Sequence, residues 1–238
     1  MVIGLQPIIE MHLSTLKKHW TEFGKQDPLW AILTIEEKKG RKWETEEFFE
    51  LGRRDVDAWF GAALAAKPEI KRGKALDFGC GVGRLTQALA EQFESVTGVD
   101  IAPTMIDEAK KYNRHAGRCS YLVNDRPDLR QFSDNDFDFI FTLIVLQHMA
   151  PHYERCYLKE FMRILKPGGV LLFQLPELSL TPEDRIIPND SEPIADMFGI
   201  PPAEVVKFIE DCGGRILKIH FNVTGGAERS HIYIVEKA

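Results

Sequence analysis

Ala75-Leu76-Asp77-Phe78-Gly79-Cys80-Gly81-Val82-Gly83-Arg84 is the stretch that decides the fold. Ala75 to Phe78 reads as a short buried strand, the glycines as a tight turn, and Leu85 to Phe93 as the helix that follows. Glycines in such a turn let the backbone approach a ligand closely, and the helix start offers free N–H groups. In an open α/β sheet, ligands bind beyond the carboxyl ends of the strands, near the point where strand order reverses. The loop from Asp77 to Arg84 is therefore the candidate cofactor site. A G-x-G turn also occurs in plain strand–helix connections. Asp100 gives it weight, because a carboxylate ending the next strand can accept both ribose hydroxyls of an adenosine.

Downstream, strand and helix alternate. Ser95 to Val99 is a strand, Pro103 to about His115 a helix, and Cys119 to Val123 a third strand. Phe137 to Leu143 is a fourth strand, followed by a helix with Pro151 in its first turn, where a missing N–H does no harm. Leu165-Lys166-Pro167-Gly168-Gly169 ends that helix, and Val170 to Leu175 is the fifth strand. This alternation predicts a mainly parallel sheet with helices on both faces. Leu217, Ile219, Phe221 and Val223 alternate with Lys218, His220 and Asn222, a strand with one wet face. Ile232 to Val235 is apolar on both faces and belongs inside a sheet. A short connection through Gly225-Gly226 makes these two an antiparallel pair, with the last strand inserted between the fifth and sixth.

Upstream, residues 1–73 read as a helical cap. Ile9, Leu13, Leu16, Trp20 and Phe23 recur at helical spacing, and so do Phe49, Gly52, Val56, Trp59, Phe60 and Ala63. Thr45 is placed to cap the second helix, with Glu46 and Glu47 favouring its positive end. Asp27-Pro28-Leu29-Trp30 is a turn between the two helices. All four tryptophans, Trp20, Trp30, Trp43 and Trp59, fall in this region. It reads as a cap on the core that doubles as a lid over a ligand.

A chain of 238 residues with 44% hydrophobic and 28% charged residues buries enough surface to need no disulfide or metal staple. The net charge of -6, without any Lys/Arg block, argues against long nucleic-acid partners. Cys80, Cys119, Cys156 and Cys212 are scattered, which suits reduced thiols better than a disulfide framework or a zinc site. No window approaches the roughly 18 apolar residues of a membrane span. The start carries no secretory signal, and the expected location is cytoplasmic.

Two cofactor classes fit a glycine turn paired with a strand-ending acid. A dinucleotide site wants a third glycine where Arg84 stands, and its pyrophosphate disfavours a carboxylate such as Asp77 just before the turn. S-adenosylmethionine carries an ammonium group that Asp77 could face directly or through water, and the balance favours it. The chain here resembles the class I S-adenosylmethionine-dependent methyltransferases, over about residues 74–175. The resemblance rests on Ala75 to Arg84, Val99-Asp100-Ile101, Leu165 to Gly169 and Phe137 to Met149. It implies a doubly wound, Rossmann-like seven-stranded sheet of order 3-2-1-4-5-7-6 with the last strand antiparallel, spanning 74–238 behind the cap.

The same resemblance implies that Gly79, Cys80 and Gly81 line the methionyl part of the cofactor, with Asp77, Phe78 and Arg84 around them. Asp100 holds the ribose, Ile101 and Met105 flank the adenine, and Asn124-Asp125 address its edge, with the Asp125 carboxylate accepting from the exocyclic amine. Asn124-Asp125 also reads as a plain turn. Leu143 and His148, at the end of the fourth strand, complete the expected set. His148 is the candidate base for an oxygen nucleophile, or else a cofactor-adjacent residue without a proton-transfer role. His152 and Tyr153 could reach the same cleft or lie solvated.

His148 and His152 have metal-pair spacing, but Pro151 between them and the lack of a third ligand argue against zinc. Asp134, Asp136 and Asp138 precede the fourth strand, at the amino end of the sheet, and read as a solvated loop rather than a magnesium site. The N/D-P-P-Y signature of amino-directed nucleic-acid methyltransferases is absent, since Thr142-Leu143-Ile144-Val145 stands there. The expected acceptor is a small molecule chosen by the cap and by the segment 176–200. Glu177, Arg185, His12, His19 and His231 could all reach substrate, and each reads first as an ordinary surface group. The competing readings are a non-catalytic module binding S-adenosylmethionine or S-adenosylhomocysteine, and a nicotinamide-dependent oxidoreductase. Monomer and homodimer both remain open.

Overall fold

The strands are β1 (Lys74–Phe78), β2 (Ser95–Asp100), β3 (Cys119–Val123), β4 (Phe137–Thr142), β5 (Leu165–Pro176), β6 (Gly214–Val223) and β7 (Arg229–Lys237). They form one sheet of order β3-β2-β1-β4-β5-β7-β6 in the computed structural model, which describes residues 13–177, 197–223 and 229–238. β1 to β5 pair in parallel, whereas β7 runs antiparallel between β5 and β6. Strand order reverses at β1, so the loop after β1 opens at the switch point. This is the expected doubly wound sheet with its inserted final strand. Ile9, His12, Arg185 and Gly225-Gly226 lie outside the described residues.

The helices are α1 (Leu13–Gln26), α2 (Pro28–Ile32), α3 (Thr45–Ala66), α4 (Arg84–Leu89), α5 (Pro103–Tyr112), α6 (Pro151–Ile164) and α7 (Pro202–Asp211). One apolar layer joins Leu76, Ile140 and Phe173 of the sheet to Leu158 and Phe161 of α6 and Val205 and Ile209 of α7. The opposite layer joins Phe139, Phe141 and Leu172 to Phe60 of α3, Leu89 of α4 and Ile106 of α5. A third cluster brings Leu29, Trp43 and Phe48 of the N-terminal region against Val82 and Met105, beside the glycine loop. The N-terminal helices therefore pack on the ligand-bearing edge of the sheet.

Four local expectations change. Thr45 is the first residue of α3; Glu44 holds the cap position and makes no side-chain cap hydrogen bond. β5 starts at Leu165, directly after α6, and Lys166 to Gly169 form a bulge within the strand, where the partner of β5 shifts from Phe137 to Phe139. Asp138 is not solvated. It is buried and accepts the Lys74 amide at 2.9 Å and Lys166 Nζ at 2.8 Å, fastening that bulge to the amino end of β1.

β6 departs most from its sequence pattern. A register shift between Ile216 and Lys218 inserts Leu217, and such a bulge inverts the alternation of side chains along a strand. Ile216 and Ile219 pack on one layer while Leu217 packs on the other. His220 meets Trp59 with ring centroids 5.8 Å apart, and Phe221 is 81% exposed rather than buried. Among the described residues, no helix is long and apolar enough to cross a membrane.

Candidate active-site cleft

The loop after β1 turns on glycines for steric reasons. Gly79 has φ +76°, and a Cβ there would lie 2.3 Å from the Val145 side chain, so the chain after β4 presses directly on the loop. Gly81 has φ +51°, and a Cβ there would meet Ile32 of α2 at 2.5 Å. A side chain at either position would fill the space between the loop and its covering walls. The loop and these walls border a cleft, whose roughly 930 Å³ of open space includes solvent at its mouth.

Asp100, at the end of β2, anchors the loop. Its Oδ2 accepts the Gly81 amide at 2.9 Å and its Oδ1 accepts the Ala102 amide at 2.8 Å. Each carboxylate oxygen keeps a further lone pair for a ligand hydroxyl. Burial raises the Asp100 pKa, against those amide hydrogen bonds. Phe78, Gly79, Cys80, Gly81 and Arg84 line one side of the cleft, and Ile101, Met105, Asn124, Leu143 and His148 line the rest of the expected surface. The Cys80 thiol donates to the Gly81 carbonyl, and burial pushes its pKa well up, so it is a packing group rather than a nucleophile.

Two expected residues stand elsewhere. Asp77 points beneath the loop, is 1% exposed and does not line the cleft; Thr86 Oγ1 donates to its Oδ2 at 2.6 Å. Alternation along β1 gives Asp77 the opposite face from Phe78, which does reach the cleft. Burial pushes the Asp77 carboxyl up to about 7, opposed by the Thr86 hydrogen bond and the Arg84 charge. Asp125 is turned outward to Lys17 of α1, at 2.7 Å, and is absent from the lining. Only Asn124 of that pair lines the cleft, and its Nδ2 donates to the Arg126 carbonyl at 3.1 Å and to the Tyr157 hydroxyl at 3.4 Å.

Arg84 opens α4 where a dinucleotide loop would place glycine. Its side chain is 4% exposed and pairs with Asp55 of α3 at 2.5 Å. Gly52 permits that approach, since a Cβ there would fall 2.6 Å from Arg84 Cγ. Arg84 thus ties α3 to the glycine loop. His148 sits in a 3₁₀ turn, Leu146–His148, with its ring edge-on to Trp20 at 5.4 Å. His152 is exposed, packs on the Tyr153 ring at 3.9 Å, and neither residue lines the cleft. His231 is buried at the start of β7, with Nε2 3.2 Å from Glu177 Oε2, and is not part of the lining; nor is His19. Among the described residues, no group of three or more His, Cys, Asp or Glu side chains could hold a metal ion.

Leu13, Leu16 and Trp20 of α1, Ile32 of α2, and Val145 and Met149 after β4 also line the cleft. Helical spacing marked Leu13, Leu16 and Trp20 as one buried stripe but could not say what the stripe covers. For Ile32, Val145 and Met149 no periodic signal exists, because their position depends on the path of short connections.

Replacing Thr86 by Val should leave Asp77 buried with no hydroxyl donor. The expected loss is about 1–3 kcal/mol in urea unfolding. A carboxyl with a raised folded pKa loses stability as pH rises between its unfolded and folded values, here 3.8 and about 7. Loss of the donor raises the folded value further, so the penalty should be larger at pH 8 than at pH 5. Equal penalties at both would show that Asp77 does not ionise in this range.

Residues 76–173, from β1 into β5, match the protein family described as Methyltransferase domain, and the β3-β2-β1-β4-β5-β7-β6 sheet is the one that the resemblance to class I S-adenosylmethionine-dependent methyltransferases implies. Among particular relatives, the chain is similar to a ubiquinone biosynthesis O-methyltransferase of Xanthomonas euvesicatoria pv. vesicatoria, 26% identical over 163 residues, which cover 63% of this chain and 66% of that one. It is also similar to a sterol 24-C-methyltransferase of Aspergillus fumigatus, 37% identical over 111 residues, 45% of this chain and 29% of that one. The chain spans just under two thirds of the length of the ubiquinone-pathway relatives it matches. In structure it is similar to the magnesium protoporphyrin IX methyltransferase of Synechocystis PCC 6803 with bound S-adenosylhomocysteine. That likeness has a TM-score of 0.69 and 18% identity, over 95% of this chain and 99% of that one.

Proposed function

We propose that the chain binds S-adenosylmethionine in this cleft and transfers its methyl group to a small, largely apolar acceptor, releasing S-adenosylhomocysteine. The observation that carries the reading is the two-sided character of the cleft. One side presents the glycine loop and the Asp100 carboxylate; the other presents Leu13, Leu16, Trp20 and Ile32 of the N-terminal helices. The residues fit the cofactor, because Gly79 and Gly81 leave space that a Cβ would fill and Asp100 offers lone pairs to a ribose. When bound, S-adenosylmethionine supplies a methyl group already activated by its sulfonium.

The chain's residues then supply position and dryness. Asp100 holds the ribose, Ile101 and Met105 flank the adenine, and Asn124 stands at the adenine edge. Trp20, Val145 and Met149 close the reacting end to water. Residues 1–73 act as the lid over the 74–238 core, and 176–200 contribute to acceptor choice. His148 borders the reacting end, the place for a group that assists an acceptor hydroxyl. The protein acts in the cytoplasm on a small molecule rather than on nucleic acid.

A second reading is a non-methylating module that binds the same ligand. The fold permits it, since a [4+2]-cyclase shares the architecture with a TM-score of 0.58 at 16% identity over 77% of this chain. S-adenosylhomocysteine should raise the melting temperature, by mass action on the folded state, and NAD should not. No shift with S-adenosylhomocysteine would sink both readings. Labelled S-adenosylmethionine incubated with a metabolite extract then separates them: label recovered in a new extractable compound supports the enzyme, and none supports the module.

A further inference from the structure

Behind the cleft, and outside its lining, a buried chain of amides runs from β5 to the turn after β4. Gln174 of β5 is 3% exposed. Its Oε1 accepts the Ile144 backbone amide at 2.9 Å, and its Nε2 donates to Ser230 Oγ of β7 at 2.6 Å and to Gln147 Oε1 at 3.4 Å. Gln147 Nε2 in turn lies 3.4 Å from His148 Nε2.

One unambiguous donor sets the direction of the whole chain. A backbone N–H can only donate, so the Gln174 atom facing Ile144 is its oxygen, and its NH₂ points the other way. Both of that NH₂ group's hydrogens are then spent on Ser230 and Gln147. Gln147 must present its oxygen to Gln174 and therefore its own NH₂ to His148. His148 Nε2 is left as an acceptor, which for a neutral imidazole places the proton on Nδ1.

Ile144 is also a backbone outlier. Its φ is +59°, a left-handed conformation that a β-branched residue rarely adopts, and it lines the cleft. Next to it, Val145 packs on Gly79 of the cofactor loop. The Gln174 carbonyl thus pins the strained residue whose neighbour presses on the cofactor loop.

We propose that Gln174 is a positioning residue of the cleft, holding Ile144 and Val145 against the cofactor loop and, through Gln147, fixing His148 as the tautomer protonated on Nδ1. The proposal deepens the methyltransferase reading and rests on it for the identity of the ligand. It commits the His148 Nε2 lone pair to the Gln147 NH₂ and the ring proton to Nδ1, so in this tautomer His148 can assist an acceptor only as a hydrogen-bond donor and not as a base. Gln174 does this without lining the cleft itself.

The test uses the full chain and two variants. Gln174→Met removes both the clamp and the relay; Gln147→Met leaves the Ile144 clamp intact and removes only the link to His148. Histidine ¹⁵N spectra of the wild type at neutral pH should show His148 protonated on Nδ1 and bare on Nε2, and both variants should lose that preference. Calorimetry with S-adenosylhomocysteine should show affinity within about twofold of wild type for Gln147→Met but weakened roughly tenfold or more for Gln174→Met, the scale expected of a displaced wall. Gln174→Glu keeps an acceptor for Ile144, and should recover the tautomer as pH falls and its carboxyl gains a donor proton. A wild-type His148 protonated on Nε2, or two variants with unchanged spectra and affinity, would overturn the proposal. A wild type that binds no S-adenosylhomocysteine would overturn the methyltransferase reading instead, while the spectra still decide the tautomer.

Discussion

Asp100→Ala should weaken S-adenosylmethionine and S-adenosylhomocysteine binding by about 10- to 100-fold, the loss expected when a charged acceptor of ligand hydroxyls is removed. The carboxylate has two duties. It receives the Gly81 and Ala102 amides at 2.9 and 2.8 Å, and it faces the cleft in which we propose the ribose binds. Alanine leaves both amides without the Asp100 carboxylate and frees the glycine loop. Asp100→Asn separates the duties, since its amide oxygen still serves one N–H while its NH₂ opposes the other; its affinity should fall between alanine and wild type. The pH dependence has a definite sign. Burial raises the Asp100 pKa, and the ionised form is the better acceptor, so wild-type affinity should improve as pH rises through that pKa. Asp100→Ala should lack the dependence. Isothermal titration from pH 5 to pH 8 measures both effects, and a dissociation constant unchanged in Asp100→Ala would remove the ribose assignment.

Much of this site was legible in the sequence because it is built from rules with local reach. A glycine turn between a buried strand and a helix, followed by an acid ending the next strand, fixes the loop and Asp100 wherever the sheet is parallel, whereas Met105 follows only from the family resemblance. The apolar run Ile232 to Val235 likewise marks an interior final strand, and the structure places it between β5 and β6. What was not legible depends on contacts between distant segments. Asp77 was expected beside the cofactor, yet strand alternation turns it under the loop to Thr86, nine residues on. Asp125 carries no sign in its neighbourhood that Lys17, 108 residues earlier, will claim it. The bulge at Leu217 adds one residue to β6 and turns Leu217 to the opposite face from Ile219, while Phe221 lies exposed farther along the strand. Asp138 reads as one of three loop acids until the Lys166 bulge folds onto it. Gln147 and Gln174 carry no motif at all; their meaning appears only when β4, β5 and β7 lie side by side.

Glu154→Met should stabilise the protein, and by more as pH rises. Glu154 lies in the first turn of α6, where an acid ordinarily complements the helix dipole on the wet face. Its spacing from Tyr157, Leu158 and Phe161 instead puts it on the buried face, and it is 0% exposed. Among the described residues, neither carboxyl oxygen has a hydrogen-bond partner. Burial pushes its pKa from 4.5 to about 8, against the lowering effect of the Arg155 charge. Below pH 4.5 both folded and unfolded chains hold the proton, and ionisation makes no difference to stability. Between 4.5 and about 8 the unfolded chain releases the proton and the folded chain keeps it, so stability falls steadily across that window. The accumulated cost is on the order of 4 kcal/mol, a large fraction of an ordinary domain's stability. Methionine, close in length and apolar, removes both this cost and that of an unbonded buried polar group. Urea unfolding of wild type and Glu154→Met should therefore give a modest gain at pH 5 that grows by several fold at pH 8. Asp77, raised in the same direction, leaves a residual slope in the variant. A gain independent of pH would mean that Glu154 titrates alike in the folded and unfolded chain, and a loss of stability would mean that its carboxyl has a partner that burial and geometry do not reveal.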